Sequence, residues 1–389
     1  MSGALGMALT ITSVISVPAS TAVAEEPALR AVVVIEGGGS PHPYTTPWDA
    51  CDDGRPAFVQ ALVDAGFPTF TAPGFTNTSG STADRSGCPV QPPVELQWNT
   101  SGYPTQTGEA VLGFLGYLHA TYGYTTFDLV GYSYGGVVSR ATVAALKRYP
   151  PAADRSPAFS YAGQAVDAGV RIASITTLNS PHLGSPAYDI AANPKRFTPR
   201  VSQGWGASFA QHAKGLIVFQ RTEGAGAIQV LRTSAHAKPN PQGWDASQVG
   251  ILDDVPLTLI AGDYTPERCR KGAPPKTGCG GKRAPRTDGT VPVYSQLMLP
   301  CPTRCPAPPG SVFIPPGLLP KAGIVRKTFP TVHSTYDARG YGVPETLSVS
   351  KNPAAIAYLV TSLQARWELA ATGTTRTGTT ASDGISFHP

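Results

Sequence analysis

Residues 127–149 read FDLVGYSYGGVVSRATVAALKRY and carry the strongest structural signal in the chain. Phe127 to Val130 is a short apolar strand, and Gly135 to Tyr149 is a helix that Pro150 and Pro151 end. Between them Gly131, Tyr132, Ser133, Tyr134 and Gly135 fit the pattern GxSxG. The pattern alone is weak in a chain with 42 glycines, so its place between a strand and a helix carries the argument. A turn this sharp strains the serine backbone, while the glycines let flanking backbone come close and the hydroxyl projects outward. The helix N-terminus behind it favours developing negative charge. Ser133 is therefore the candidate nucleophile, and the backbone N–H of Tyr134 a candidate donor to an oxyanion.

On either side of this unit, strands alternate with helices. Ala31 to Ile35 is a continuous apolar run of the kind buried on both faces of a sheet, and it stops in Glu36-Gly37-Gly38-Gly39. Gly54 to Ala65 predicts a helix, Phe67 to Thr71 a strand, and Thr105 to Tyr122 a helix with Val111, Leu115 and Leu118 on one face. Strands are expected at Arg171 to Leu178, Val255 to Ala261 and Ile324 to Lys327. A last helix is expected over Asn352 to Ala371, with Ile356, Leu359, Val360 and Leu363 as its apolar stripe. Such alternation implies an α/β fold with a mostly parallel sheet and helices on both faces. Residues from about Ser185 to Asp253 break the alternation and read as a lid or cap inserted over one end of the sheet. Residues 264–286 and 300–320 form Pro-rich loops, the first of them basic.

A serine hydroxyl needs a base, and the base needs an orienting acid. In a fold of this kind they follow in the order Ser, Asp or Glu, His, which removes His42 and His119. His333, after the last strand and before the terminal helix, fits best. His182 comes too early and is assigned a structural or pocket role, while His212 and His236 in the insertion read as polar surface residues. For the acid, Asp288 opens a DGTVP turn and Asp263 directly follows the strand ending at Ala261; Asp288 is preferred, with Asp263 kept open. The glycine-rich loop after the first strand should supply the second oxyanion donor, from Gly38 first and Gly37 next.

Taken together, the motifs resemble a family. NSPHLGS at Asn179 to Ser185 looks like the TPHxGS segment of secreted bacterial lipases, and DGTVP looks like the acid motif of lecithin:cholesterol acyltransferase-like lipases. With GYSYG and the late histidine, the resemblance runs from about Ala31 to Ala370. It implies the α/β-hydrolase fold, a carboxylic ester hydrolase of the triacylglycerol lipase type, catalytic Ser133, Asp288 and His333, and a mobile lid within the insertion. The chain departs from that family at two places. Glu36 stands where many such lipases have His before the oxyanion glycine, and Thr335 stands where an Asp, a calcium ligand, is common. Calcium dependence is accordingly not carried over, and no metal or other cofactor is expected.

Composition bounds the remaining choices. Net charge is only +5 among 389 residues, too mild and too scattered to argue for nucleic acid, and no nucleic-acid partner is expected. The uncharged apolar stretch from Leu5 to Val17, followed by Ala22-Val23-Ala24, reads as a secretory leader over residues 1–24, although the usual preceding Lys or Arg is missing. Export would make pairing of the six cysteines, Cys51, Cys88, Cys269, Cys279, Cys301 and Cys305, the expected state. The hydrolase domain would then span 25–371, with 372–389 as a disordered tail. The expectation is a secreted, extracellular ester hydrolase acting on lipid, in places at a lipid–water interface, with no obligate protein partner. A short-chain carboxylesterase or polyester depolymerase would use the same triad, and a binding protein on an inactive hydrolase scaffold is the alternative of another class.

Overall fold

A computed structural model of the chain describes residues 29–39, 41–50, 54–76, 89–150, 160–192, 226–236, 244–264, 286–300 and 314–372. The leader segment, all six cysteines, most of the basic loop and residues 373–389 lie outside these, so the expectations about export, disulfides and the tail fall outside the described residues. Among the described residues, no helix is long and apolar enough to cross a membrane.

The main sheet has six strands: β1 (Arg30–Ile35), β2 (Thr69–Thr71), β5 (Thr126–Tyr132), β6 (Arg171–Leu178), β7 (Leu257–Gly262) and β8 (Ile324–Phe329). They lie in the order β2-β1-β5-β6-β7-β8, and every neighbouring pair is parallel. Side chains along β1 alternate between two cores. Val32 and Val34 face helices Ala57–Asp64 and Pro353–Ala371 together with Phe58, Leu62, Leu359 and Leu363. Ala31, Val33 and Ile35 face helices Pro104–Tyr122 and Tyr134–Lys147 with Val111, Leu115 and Val137. Burial on both sides explains why this strand is apolar throughout rather than alternating. With its strand-turn-serine-helix unit, this is the α/β-hydrolase fold. A second, two-stranded parallel sheet of β3 (Gly74–Phe75) and β4 (Trp98–Asn99) was not expected, because two-residue strands leave no periodicity to read.

Strand order places the site. From β1 the chain passes outward to β2, then returns to β5 on the other side of β1, so the order reverses between β1 and β5. Loops leaving the carboxyl ends of two strands at such a reversal diverge and open a crevice. Here those loops are Glu36 to Gly39 and the turn at Ser133, brought level by the pairing of Ile35 with Gly131.

Several boundaries moved for local reasons. The first helix starts at Ala57, with Pro56 at its N-cap, and the strand expected from Val255 starts at Leu257 because Pro256 has no N–H to give the ladder. The strand before the serine is not purely apolar. Asp128 is fully buried in it, where its carboxylate accepts two bonds from Arg30 (2.7 and 2.9 Å), one from Ser174 (2.5 Å) and one from the Trp367 indole (2.8 Å). A buried carboxylate is tolerable only when satisfied in this way.

In the insertion, Ala227, Ile228, Val230, Leu231, Trp244, Ile251 and Leu252 are buried in the same core as Val111 and Val137. Trp205, Phe209, Leu216, Ile217, Val218 and Phe219, the apolar residues that suggested a lid, lie outside the described residues.

Candidate active site

Ser133 sits between β5 and helix Tyr134–Lys147 with φ 52° and ψ −123°. A non-glycine residue held there stores on the order of 1–3 kcal/mol of strain. Part of what holds it is the Ser133 N–H, which donates to the Leu178 carbonyl of β6 at 2.9 Å. Both motif glycines are sterically required. A Cβ on Gly131 would lie 2.4 Å from Gly136 Cα, and one on Gly135 would lie 1.9 Å from the Ile35 carbonyl oxygen.

The structure brings Ser133, His333 and Asp288 together across 200 residues of sequence. Ser133 Oγ is 2.9 Å from His333 Nε2, and His333 Nδ1 is 2.7 Å from Asp288 Oδ2. The other oxygen of Asp288 accepts the backbone N–H groups of Thr290 (2.8 Å) and Val291 (2.6 Å), which are the turn of the DGTVP segment. Asp288 reaches this point because the chain, after leaving β7, comes back to its end. A Cβ on Gly262, the last residue of β7, would lie 2.8 Å from Asp288 Cβ. Asp263, the other candidate acid, does not meet His333; it pairs with Arg286, at 2.6 and 2.7 Å.

Burial works against an imidazolium at His333, but the charge and hydrogen bond of Asp288, and more weakly the charge of Asp337, outweigh it, so the group is raised above its ordinary value. A base must be neutral to accept a proton, so activity should fall as the pH drops through this raised value. The acid limb of a kcat/KM profile is therefore expected above about pH 6.5, the unperturbed imidazole value, and a limb below it would contradict the pairing.

Tyr132, which the sequence reading assigned no role, holds the histidine from below. Its ring lies 5.8 Å from the His333 ring at 31°, and its hydroxyl donates to the His333 carbonyl at 2.8 Å. The His333 N–H donates to the Asp288 carbonyl at 3.0 Å, so both backbone groups of the histidine are pinned. The only sequence signal was an aromatic residue at a free position of GxSxG. Tyr132→Phe keeps the ring and loses the bond; kcat on a soluble ester is expected to fall about five- to tenfold with KM little changed, in line with the loss of one hydrogen bond. A fall in KM-dependent terms alone would argue against this role.

For the oxyanion, the Tyr134 N–H opens the helix and has no partner within it. The Gly37-Gly38 segment packs against the nucleophile: a Cβ on Gly37 would lie 3.3 Å from Ser133 Cβ, and one on Gly38 3.3 Å from Tyr134 Cβ. A side chain at Gly38 would also crowd the Thr100 carbonyl oxygen, 2.9 Å from such a Cβ, so that position has the least room.

His182 lies apart from this group. It is buried, with Nε2 3.1 Å from Thr177 Oγ1, and burial together with the nearby Arg140 and His236 keeps it neutral. His236, expected at the surface, is 2% exposed; its Nδ1 is 2.5 Å from Asp245 and its Nε2 2.7 Å from the Val230 carbonyl. Its nine-residue spacing from Asp245 gave no helical or strand register that would have marked the pair. Arg140, on the helix behind Ser133, is buried with its guanidinium over the Trp244 ring at 5.8 Å and its Nη1 donating to the His182 carbonyl at 3.3 Å. These contacts tie the described end of the insertion to the nucleophile's helix. Among the described residues no group of His, Cys, Asp and Glu is placed to hold a metal.

A family model described as "Putative serine esterase (DUF676)" matches residues 105–195, the span that contains the serine turn and the NSPHLGS segment. No curated protein matches the chain. Similar solved structures include the mature Bacillus licheniformis lipase BlEst2, at 13% identity over 86% of this chain and 92% of that one, with a TM-score of 0.40. Lipase 1 from Pelosinus fermentans is 12% identical over 85% and 98% of the two chains, with a TM-score of 0.39. The Bacillus subtilis carboxylesterase CesB is 12% identical over 88% and 85%, with a TM-score of 0.36.

Proposed function

We propose that the chain is a serine carboxylic ester hydrolase, of the secreted lipase type, that cleaves acylglycerol or related lipid esters through an acyl-enzyme on Ser133. The observation that carries this reading is the continuous hydrogen-bonded path from Ser133 through His333 to Asp288, with the nucleophile on a strained strand-to-helix turn. As Ser133 Oγ bonds to the ester carbon, its proton passes to His333 Nε2, and Asp288 stabilises the imidazolium. The carbonyl oxygen takes the negative charge between the N–H groups of Tyr134 and Gly38. Collapse breaks the bond to the alkoxide, which leaves with the proton from His333. Water then repeats the two steps and releases the acid. No cofactor enters this scheme.

Lipid as substrate is supported by the resemblance of NSPHLGS and DGTVP to lipase segments and by the apolar residues at 205–219. A second reading, an esterase for soluble short-chain esters, is favoured by the described part of the insertion, which is packed into the main core as a fixed cover would be. Hydrolysis of p-nitrophenyl esters of rising chain length, followed through the solubility limit, separates the two. For a lipase with a mobile lid, activity should rise above proportionality once substrate forms an interface, because the interface offers the lid's apolar face another place to be buried. Phe209→Ala with Phe219→Ala should then weaken emulsion hydrolysis more than hydrolysis of a short soluble ester. Simple saturation through the limit, with equal losses on both substrates, would assign the soluble-ester reading.

A further inference from the structure

His42 is excluded as the base by its position in the chain, yet it lies directly behind the loop assigned to the oxyanion. Its Nε2 is 2.7 Å from the Gly37 carbonyl oxygen, and its Nδ1 is 3.3 Å from the Glu36 carboxylate. A carbonyl only accepts, so Nε2 carries the proton of that bond. The residue is held at its backbone and packed at its ring. The His42 N–H and C=O exchange 2.8 Å bonds with Gly74, the ring lies nearly parallel to the Trp98 indole at 6.3 Å, and a Cβ on Gly74 would crowd it at 3.3 Å.

The consequence for the loop follows from peptide geometry. In a trans peptide the C=O of one residue and the N–H of the next point in opposite directions, and no peptide among the described residues is cis. Holding the Gly37 carbonyl towards His42 therefore turns the Gly38 N–H away from His42. The same peptide lies against Ser133 and Tyr134 through Gly37 and Gly38. A Gly-Gly peptide is otherwise free to rotate, since glycine takes positive and negative φ about equally. Something must fix its plane before charge develops, because a donor that has to reorient during the reaction stabilises less.

The geometry points to His42 as the positioning residue of the oxyanion hole: packed against Trp98, it clamps the Gly37 carbonyl and so aims the Gly38 N–H at the oxygen of a carbonyl bonded to Ser133. This inference rests on the serine ester hydrolase reading.

The test compares His42→Phe, which keeps the ring against Trp98 but cannot donate, with His42→Gln, whose amide can still reach the carbonyl. On a soluble p-nitrophenyl ester, His42→Phe is expected to lower kcat about a hundredfold with KM little changed, the scale of losing one oxyanion donor. Binding of an alkyl boronic acid, which becomes tetrahedral on the serine, should weaken in step with kcat/KM. His42→Gln should recover most of both. Unchanged kcat in a folded His42→Phe, a loss confined to KM, or a loss that His42→Gln does not relieve overturns the clamp. If His42→Phe does not fold, His42→Asn, whose shorter side chain does not reach the Gly37 carbonyl, takes its place, with kcat expected about a hundredfold lower and an unchanged kcat overturning the proposal. Labelling of the wild-type Ser133 by a fluorophosphonate checks the underlying reading separately: absent labelling defeats the hydrolase reading itself, whereas labelled wild type with fully active His42→Phe defeats only the clamp.

Discussion

Ser133→Ala is expected to leave a folded protein with no measurable ester hydrolysis. Removal of the nucleophile from a serine triad costs on the order of 10⁶ in kcat, since His333 and Asp288 then have no proton transfer to assist. The backbone of the variant has reason to stay in place. Its N–H bond to the Leu178 carbonyl needs no side chain, and alanine at φ 52° is strained about as serine is. Near-native melting together with lost turnover and lost fluorophosphonate labelling is thus the expected result. Labelling that persisted in the variant would place the nucleophile on another serine.

The second large effect is expected at Asp288. Asp288→Asn should lower kcat by about 10⁴, the scale seen when a triad carboxylate loses its charge, because the amide neither stabilises an imidazolium nor fixes the tautomer that presents a bare Nε2 to Ser133. The variant also shifts the acid limb. The carboxylate is what holds His333 above its ordinary value against the effect of burial, so its removal lowers that value and moves the limb to lower pH in whatever activity remains. Asp263→Asn should leave kcat within a few fold and the limb unmoved. Its carboxylate is engaged with Arg286, which is 55% exposed, and a pair of that kind contributes little. A large loss at Asp263 with none at Asp288 would reverse the assignment.

Much of the fold and the site could be read along the chain because the signals were local. The run Ala31 to Ile35 is apolar because β1 is covered on both faces, and the glycines of GYSYG are fixed by contacts within a few residues or across one strand pair. DGTVP declares its own turn, since Asp288 Oδ1 binds the N–H groups two and three residues ahead. Other features depend on partners far away in sequence. Asp128 had no visible role in a strand read as apolar because its partners, Arg30, Ser174 and Trp367, lie up to 239 residues from it. His236 looked like a surface residue because burial there depends on how the insertion folds back onto Arg140 and its helix.

The sequence by itself determined the strand-turn-helix unit at Ser133 and the parallel class of the sheet, because each follows from steric rules and periodicities that act over a few residues; His333 was singled out by the order in which the three residues follow one another in a fold of this kind. The choice between Asp288 and Asp263 as the partner of His333, the part played by Tyr132 beneath that histidine, and the position of His42 behind the Gly37-Gly38 peptide were decided only in the tertiary structure. Strand order is the reason: it sets which loops leave the carboxyl ends of β1, β5, β7 and β8 side by side, and a hydrogen bond of under 3 Å between two such loops, as at Tyr132, His333 and Asp288, has no counterpart in the local pattern of either.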